Sequence, residues 1–255
     1  MSEYLDLAIR AARAAGALLR AEFGKVPEVH AAEAHDIKLE LDVRTQRLIE
    51  QILQEAFPDH AILGEEGDRP SGSSSPFEWI LDPIDGTVNF FYGLPHFCVS
   101  IAMRRAGEMQ VGVIYDPMRD ELWSVERGGV PTLNGIPIRV SPRTRLGDCV
   151  VTVGFAKSVT TINAGLPLLQ EMVHKVRKCR MMGSAALDLA YVATGRLDAY
   201  IEQGVSLWDI AAGQLLVEAA GGRVEVRERA DAPGKLAVVA SSGNVDLGLQ
   251  GSSPA

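Results

Sequence analysis

Apolar residues near the start of the chain recur with helical spacing: Leu5, Ala8, Ile9, Ala12, Ala15, Gly16 and Leu19 fall on one face. That period predicts an amphipathic helix from about residue 3 to residue 22. A second helix is expected from about Val43 to Phe57, with Ile49, Ile52, Leu53 and Ala56 on one side and Pro58 closing it. AILGEEGD then reads as a short strand entering an acidic loop, and SGSSSP (71–76) as a flexible surface loop. From Phe77 the texture changes, and EWILDP, FCVSIAMRR, MQVGVIYDP and ELWSVER follow as strands between turn signals. The EWIL strand should stop at Asp82, because Pro83 follows. Asn134-Gly135, between GVPTL and IPIRV, marks a hairpin. CVVTVGF is a buried strand. Helices are expected near 162–176, 184–194 and 209–220, with strands at RLDAYIE and KLAVVASS around them.

This alternation predicts an α/β (α+β) fold in which helices cover both faces of a sheet, followed by a second α/β portion. The expected organisation is one domain over residues 1–245, with lobes of about 1–140 and 141–245 meeting near Ser141-Pro142. Residues 246–255 read as a flexible, Gly/Ser-rich tail. At 255 residues, 47% hydrophobic and 23% charged, the chain has the balance of an ordinary globular protein. Whole-chain disorder, a collagen-like repeat and a disulfide scaffold are excluded. A net charge of −8 argues against a general nucleic-acid binder and against adhesion to anionic membranes. No apolar run approaches the ~18 residues a membrane span needs. The early acids and arginines do not make a signal peptide. Three scattered cysteines (Cys98, Cys149, Cys179), without a CxxC pair, read as core residues of a protein in the reducing cytoplasm.

The chemistry concentrates in Asp82-Pro83-Ile84-Asp85-Gly86-Thr87. Asp82 and Asp85 would lie at the carboxyl end of a strand, where sites in α/β sheets form. Asp-Pro and Asp-Gly are also common turn dipeptides, and taken alone the stretch reads slightly better as two adjacent turns than as a metal site. Glu65 ends the preceding strand and could meet the same cleft. Asp209 and Asp42 stand where helices begin, and each reads most simply as an N-cap. Ser184, after Gly183, is a natural N-cap as well. Glu202 is as readily a solvated charge as a ligand. Trp208, Phe90, Phe91 and Tyr92 read as core rather than as a stacking patch. Several carboxylates sharing a cleft require neutralising cations. Acid ligands without His or Cys select hard ions, Mg2+ ahead of Mn2+ or Ca2+. Two such ions suit phosphate-ester hydrolysis, one activating water and the other stabilising the leaving oxygen. Neither GxGxxG nor GxSxG is present, which argues against nicotinamide and serine-hydrolase chemistry.

GEE, DPIDGT, GSAA and WD, in this order and at these separations, resemble the inositol monophosphatase family over nearly the whole chain. The resemblance implies a layered α/β/α/β/α sandwich and a lithium-sensitive, Mg2+-dependent phosphomonoesterase, commonly a homodimer. By matching motif it implies that Glu65, Asp82 and the Ile84 carbonyl hold one metal, and Asp82, Asp85 and Asp209 a second. A third, weaker metal site near Glu65 is a further option. Thr87, bonded to Asp42, would orient the attacking water beside Glu65. Asp85, Gly86, Thr87 and Asp209 would face the phosphate, and Gly183, Ser184, Ala185 and Glu202 the rest of the substrate. The expected substrate is myo-inositol 1-phosphate. Fructose 1,6-bisphosphate, histidinol phosphate and 3′-phosphoadenosine 5′-phosphate are its competitors. A rival from another class is a metal-stabilised interaction protein without catalysis.

Overall fold

The structure, a computed structural model, describes residues 2–25, 29–33, 36–67 and 75–249. Most of the serine-rich loop and the last six residues lie outside the described residues. Helix α1 (Glu3–Glu22) forms where the apolar period predicts it, and the Ser2 hydroxyl caps it by accepting from the Leu5 N–H. An antiparallel pair, β1 (Val29–Glu33) and β2 (Asp36–Leu39), follows where no strands are expected. Helix α2 (Glu40–Ala56) starts three residues earlier than its apolar stripe suggests. That start puts Asp42 inside the first turn rather than at the N-cap, and its carboxylate reaches back to the Leu39 N–H at 2.7 Å.

Strand β3 (Ala61–Gly64) runs parallel to β4 (Phe77–Asp85). Contrary to expectation, β4 does not stop at Asp82. A bulge between Asp82 and Asp85 absorbs Pro83, which has no N–H to give the ladder, and pairing with the next strand resumes at Asp85. After the short helix α3 (Thr87–Phe91), β5 (Cys98–Arg105), β6 (Glu108–Asp116), β7 (Glu121–Glu126), β8 (Thr132–Leu133) and β9 (Ile136–Pro137) meander antiparallel. Strands β3 to β9 make one seven-stranded sheet in sequence order. Asn134 and Gly135, both at positive φ, turn the β8–β9 hairpin as the Asn-Gly pair predicts.

Then come β10 (Val150–Val153), α4 (Val159–Lys175), β11 (Lys178–Arg180), α5 (Ala185–Ala193), β12 (Ala199–Val205), α6 (Leu207–Ala219), β13 (Arg223–Glu228) and β14 (Leu236–Ser241). Their five strands form a second sheet in the order β11-β10-β12-β14-β13. Its two edge strands, β11 and β13, carry alternating charges and no apolar run, so composition hides them.

Three apolar clusters fix the layering. One joins α1 and α2 to the seven-stranded sheet. The second lies between the two sheets, with α5 and α6 inside it, and the third joins the five-stranded sheet to α4. Every residue of α5 is buried, Asp188 included, and most of its positions are apolar. The result is the α/β/α/β/α sandwich. Leu247, within the expected tail, is buried in the third cluster. Among the described residues no helix is long and apolar enough to cross a membrane.

Candidate active site

Asp85 is the junction of the site. Its carboxylate accepts from the Ser184 hydroxyl at 2.6 Å and from the backbone N–H groups of Ala186 and Ala185 at 2.7 and 3.2 Å. The end of β4 is thereby tied to the first turn of α5, where helix N–H groups favour a negative charge. Ser184 caps that helix as expected, accepting from the Leu187 N–H. The donors of Ser184 and Ala185 therefore face Asp85. Gly86, between Asp85 and α3, has φ 98°, and an added Cβ would lie 2.9 Å from the His96 carbonyl oxygen. Any other residue there would be strained and crowded at once.

Asp82 accepts from the Ile84 N–H at 3.0 Å, closing the turn that the bulge requires. Thr87 donates to the Ile84 carbonyl at 2.9 Å, and its contact with Asp42 is the longer, at 3.5 Å. A hydroxyl has one proton to give, so the Ile84 bond is the principal one. Asp209 repeats the arrangement of Asp42. It is not the N-cap of its helix but stands in the first turn, accepting from the Ser206 N–H at 2.6 Å. Glu202, expected to be as readily solvated as bound, is partly buried on β12 and accepts from the Tyr200 hydroxyl at 2.7 Å. Of the four aromatic residues, Phe90 is buried, Phe91 and Trp208 are partly so, and Tyr92 is exposed rather than core.

These acids share one electrostatic environment. Burial pushes the Asp82 carboxyl well above the usual carboxylate range, and Glu65, Asp85, Asp209 and Asp42 push it further. Burial raises Asp85 to about 6, against the bonds from Ser184, Ala186 and Ala185. Asp209 stands at about 6, through burial and then Asp85, with Ser206, Lys235 and Lys157 opposing. Burial carries Asp42 to about 8 and Glu202 to about 7. Behind them Asp188 is raised well above its ordinary range by burial and then by Glu202.

Three side chains that organise the site carry no motif. Gln46 donates to the Glu66 carbonyl at 2.6 Å and accepts from the Glu66 N–H at 2.9 Å, clamping the segment that carries Glu65 onto α2. Asn89 donates to the His96 and Met182 carbonyls at 2.8 and 2.9 Å, holding α3 against the approach to α5. The Lys157 ammonium lies 3.8 Å from the Glu65 carboxylate. The signal for Gln46 is its position, since Asp42, Thr45 and Gln46 prolong with polar residues the buried stripe of Ile49 and Leu53.

The model of the inositol monophosphatase family matches residues 1–248. The chain belongs to the inositol monophosphatase family. It is 40% identical over 225 residues to the inositol-1-monophosphatase of Rhizobium meliloti, covering 87% of this chain and 84% of that one. It is 39% identical over 227 residues to the Nus factor SuhB of Escherichia coli K12, covering 88% and 85%. Among solved structures, the suhB protein of Bartonella henselae superposes with a TM-score of 0.88 at 36% identity over 95% of both chains. The Thermotoga maritima IMPase gives 0.84 at 35% identity, over 95% of this chain and 93% of that one. The layered sandwich expected from the motifs is the fold of this family.

The family is generally metal-dependent. Here the donor set fits a hard divalent ion in kind, because the mutually repelling side chains offer oxygen alone. Among the described residues, however, no three His, Cys, Asp or Glu side chains are arranged so that they could hold a metal ion. Internal partners engage Asp82, Asp85 and Asp209 instead.

Proposed function

We propose that this chain is a Mg2+-dependent phosphomonoesterase acting on a small polyol phosphate, with myo-inositol 1-phosphate as its first substrate. The observation that carries the proposal is the convergence of Glu65, Asp85, Asp209 and Asp42, from separate segments, on the environment of buried Asp82. Glu65, Asp82 and the Ile84 carbonyl would hold one ion, and Asp82, Asp85 and Asp209 a second, exchanging their internal partners to do so. Bound there, Mg2+ would supply positive charge to the phosphoryl oxygens and acidify water. Thr87, in contact with Asp42, would help to orient and activate the attacking water beside Glu65. The backbone of Gly86 and Thr87 would face the phosphate. Water oxygen bonds to phosphorus as the ester P–O bond breaks, and the alcohol departs with a proton. Glu202, pinned by Tyr200, would accept a hydroxyl of the polyol.

Assay of a panel of phosphate esters for released phosphate, with and without Mg2+ and then with Li+, tests the reading. Inositol 1-phosphate should turn over only with Mg2+, and Li+ should suppress it. Glu202→Gln should raise KM for that substrate about tenfold, the worth of one hydrogen bond to a charged partner, with kcat little changed. A nucleotide turned over orders of magnitude faster would overturn the substrate, and no hydrolysis of any ester would overturn the activity. The name Nus factor carried by several relatives favours a second reading, a protein partner, which would then take precedence. The reading places the enzyme in the cytoplasm, where its three free cysteines stay reduced. The family resemblance suggests a homodimer, which light scattering at micromolar concentration tests.

A further inference from the structure

We propose that Lys157 is the internal counter-ion of this site, holding the Glu65 carboxylate in the metal-free protein and yielding it when a divalent ion binds. The inference rests on the metal-dependent reading above and adds a residue that tunes cation affinity. Its basis is the strap of residues 154–158 that joins β10 to α4. The strap is pinned along its length. The Gly154 N–H donates to the Ile201 carbonyl at 2.8 Å. A Cβ on Gly154 would fall 1.8 Å from the Glu202 carboxylate, so the backbone passes directly over that side chain. Ala156 packs against Gly204, where an added Cβ would come within 2.6 Å of the Ala156 methyl. Ser158 then caps α4 by accepting from the Thr161 N–H at 3.2 Å.

With the backbone held on both sides, the Lys157 ammonium lies 3.8 Å from the Glu65 carboxylate. Its charge is also felt at Asp42 and Asp209, so it serves the cluster and not one partner. Lys235, which also acts on Asp209, donates to the Ser206 hydroxyl at 2.8 Å. Lys157 is half exposed, and its flexible stem can withdraw into solvent. A single positive charge on a long, half-exposed side chain is thus poised to exchange with a doubly charged ion. Because Glu65 cannot serve both fully, each must weaken the other.

The test is Mg2+ binding without substrate, by calorimetry and by the Mg2+-dependent rise in Tm, for the wild type, Lys157→Met and Lys157→Arg. Lys157→Met should bind Mg2+ about 5–10-fold more tightly and melt lower than wild type in chelator. Lys157→Arg, which keeps the charge, should restore both values. Circular dichroism at 20 °C checks that each variant is folded. If wild type binds Mg2+ but Lys157→Met binds it with the same or weaker affinity, the counter-ion role is overturned and the functional reading stands. If wild type itself binds no Mg2+, both fall.

Discussion

Asp85→Asn is expected to remove Mg2+-supported ester hydrolysis while leaving a folded protein. The carboxylate takes three donors from α5 and one of its flanking residues, two of them on the same oxygen. Asparagine can place its carbonyl where Ser184 and Ala186 donate, at 2.6 and 2.7 Å, and keep both bonds. Its amide nitrogen then faces the Ala185 N–H, a donor against a donor, which costs about 1–3 kcal/mol. Opposing this, the substitution removes a buried charge that sits unfavourably beside Glu65. The two effects offset, so Tm in chelator should stay within about 5 °C of wild type. Chemistry has no such compensation. Losing one anionic ligand from the proposed two-cation site should cost about 4 kcal/mol of transition-state stabilisation, or about a thousandfold in kcat/KM. The Mg2+-induced rise in Tm should shrink with it. Near-normal turnover by Asp85→Asn at saturating Mg2+ would refute the assignment of this carboxylate to the metal site.

The contrast between Asp85 and Gln46 shows what a sequence exposes and what it hides. Asp85 is legible because its neighbours constrain it: Pro83, Gly86 and Thr87 impose a local backbone that few sequences need. The α1 stripe and the Asn134-Gly135 hairpin are legible for the same local reason. Gln46 acts on a segment 20 residues away and Asn89 on one 93 residues away, so neither leaves a local pattern. The starts of α2 and α6 fall between these cases. Asp42 and Asp209 are recognisable as helix-start acids. Only the backbone shows that both sit within the first turn and reach back to the N–H of the N-cap residue. That placement lets the same carboxylates end a loop and begin a helix. The edge strands β11 and β13 were hidden for another reason. They bury one side at most, so hydrophobic alternation is weak where pairing, and not burial, defines the strand.

The metal-free protein should lose stability as pH rises from about 6.5 to 8, and Mg2+ should restore it more strongly the higher the pH. Asp42 at about 8, Glu202 at about 7 and Asp85 and Asp209 at about 6 all lie above their ordinary values near 4, and Asp82 lies well above. Across that interval the folded chain holds protons that the unfolded chain has released. Stability therefore falls with pH, since each group contributes fully below its unfolded value and loses that contribution through its folded one. Two histidines act in the other sense. Burial lowers His60, and burial with Arg119 lowers His96 to about 4, so their destabilisation is relieved as pH rises toward 6.5. Above 6.5 that relief tapers off and the acids set the slope. Asp42, with its raised neighbours, should then remove about 2–4 kcal/mol by pH 8, a fall of about 5–10 °C in Tm. Divalent ions bind the ionised carboxylates, so loading at pH 6.5 must expel more protons than loading at pH 8, where Glu202, Asp85 and Asp209 have largely ionised and Asp42 has half done so. Calorimetry in two buffers of different ionisation enthalpy reads that release directly. A chelated protein whose Tm climbs from pH 6.5 to 8, with equal proton release at both ends, would mean that the cluster is not held protonated and that its charges are already compensated without a metal.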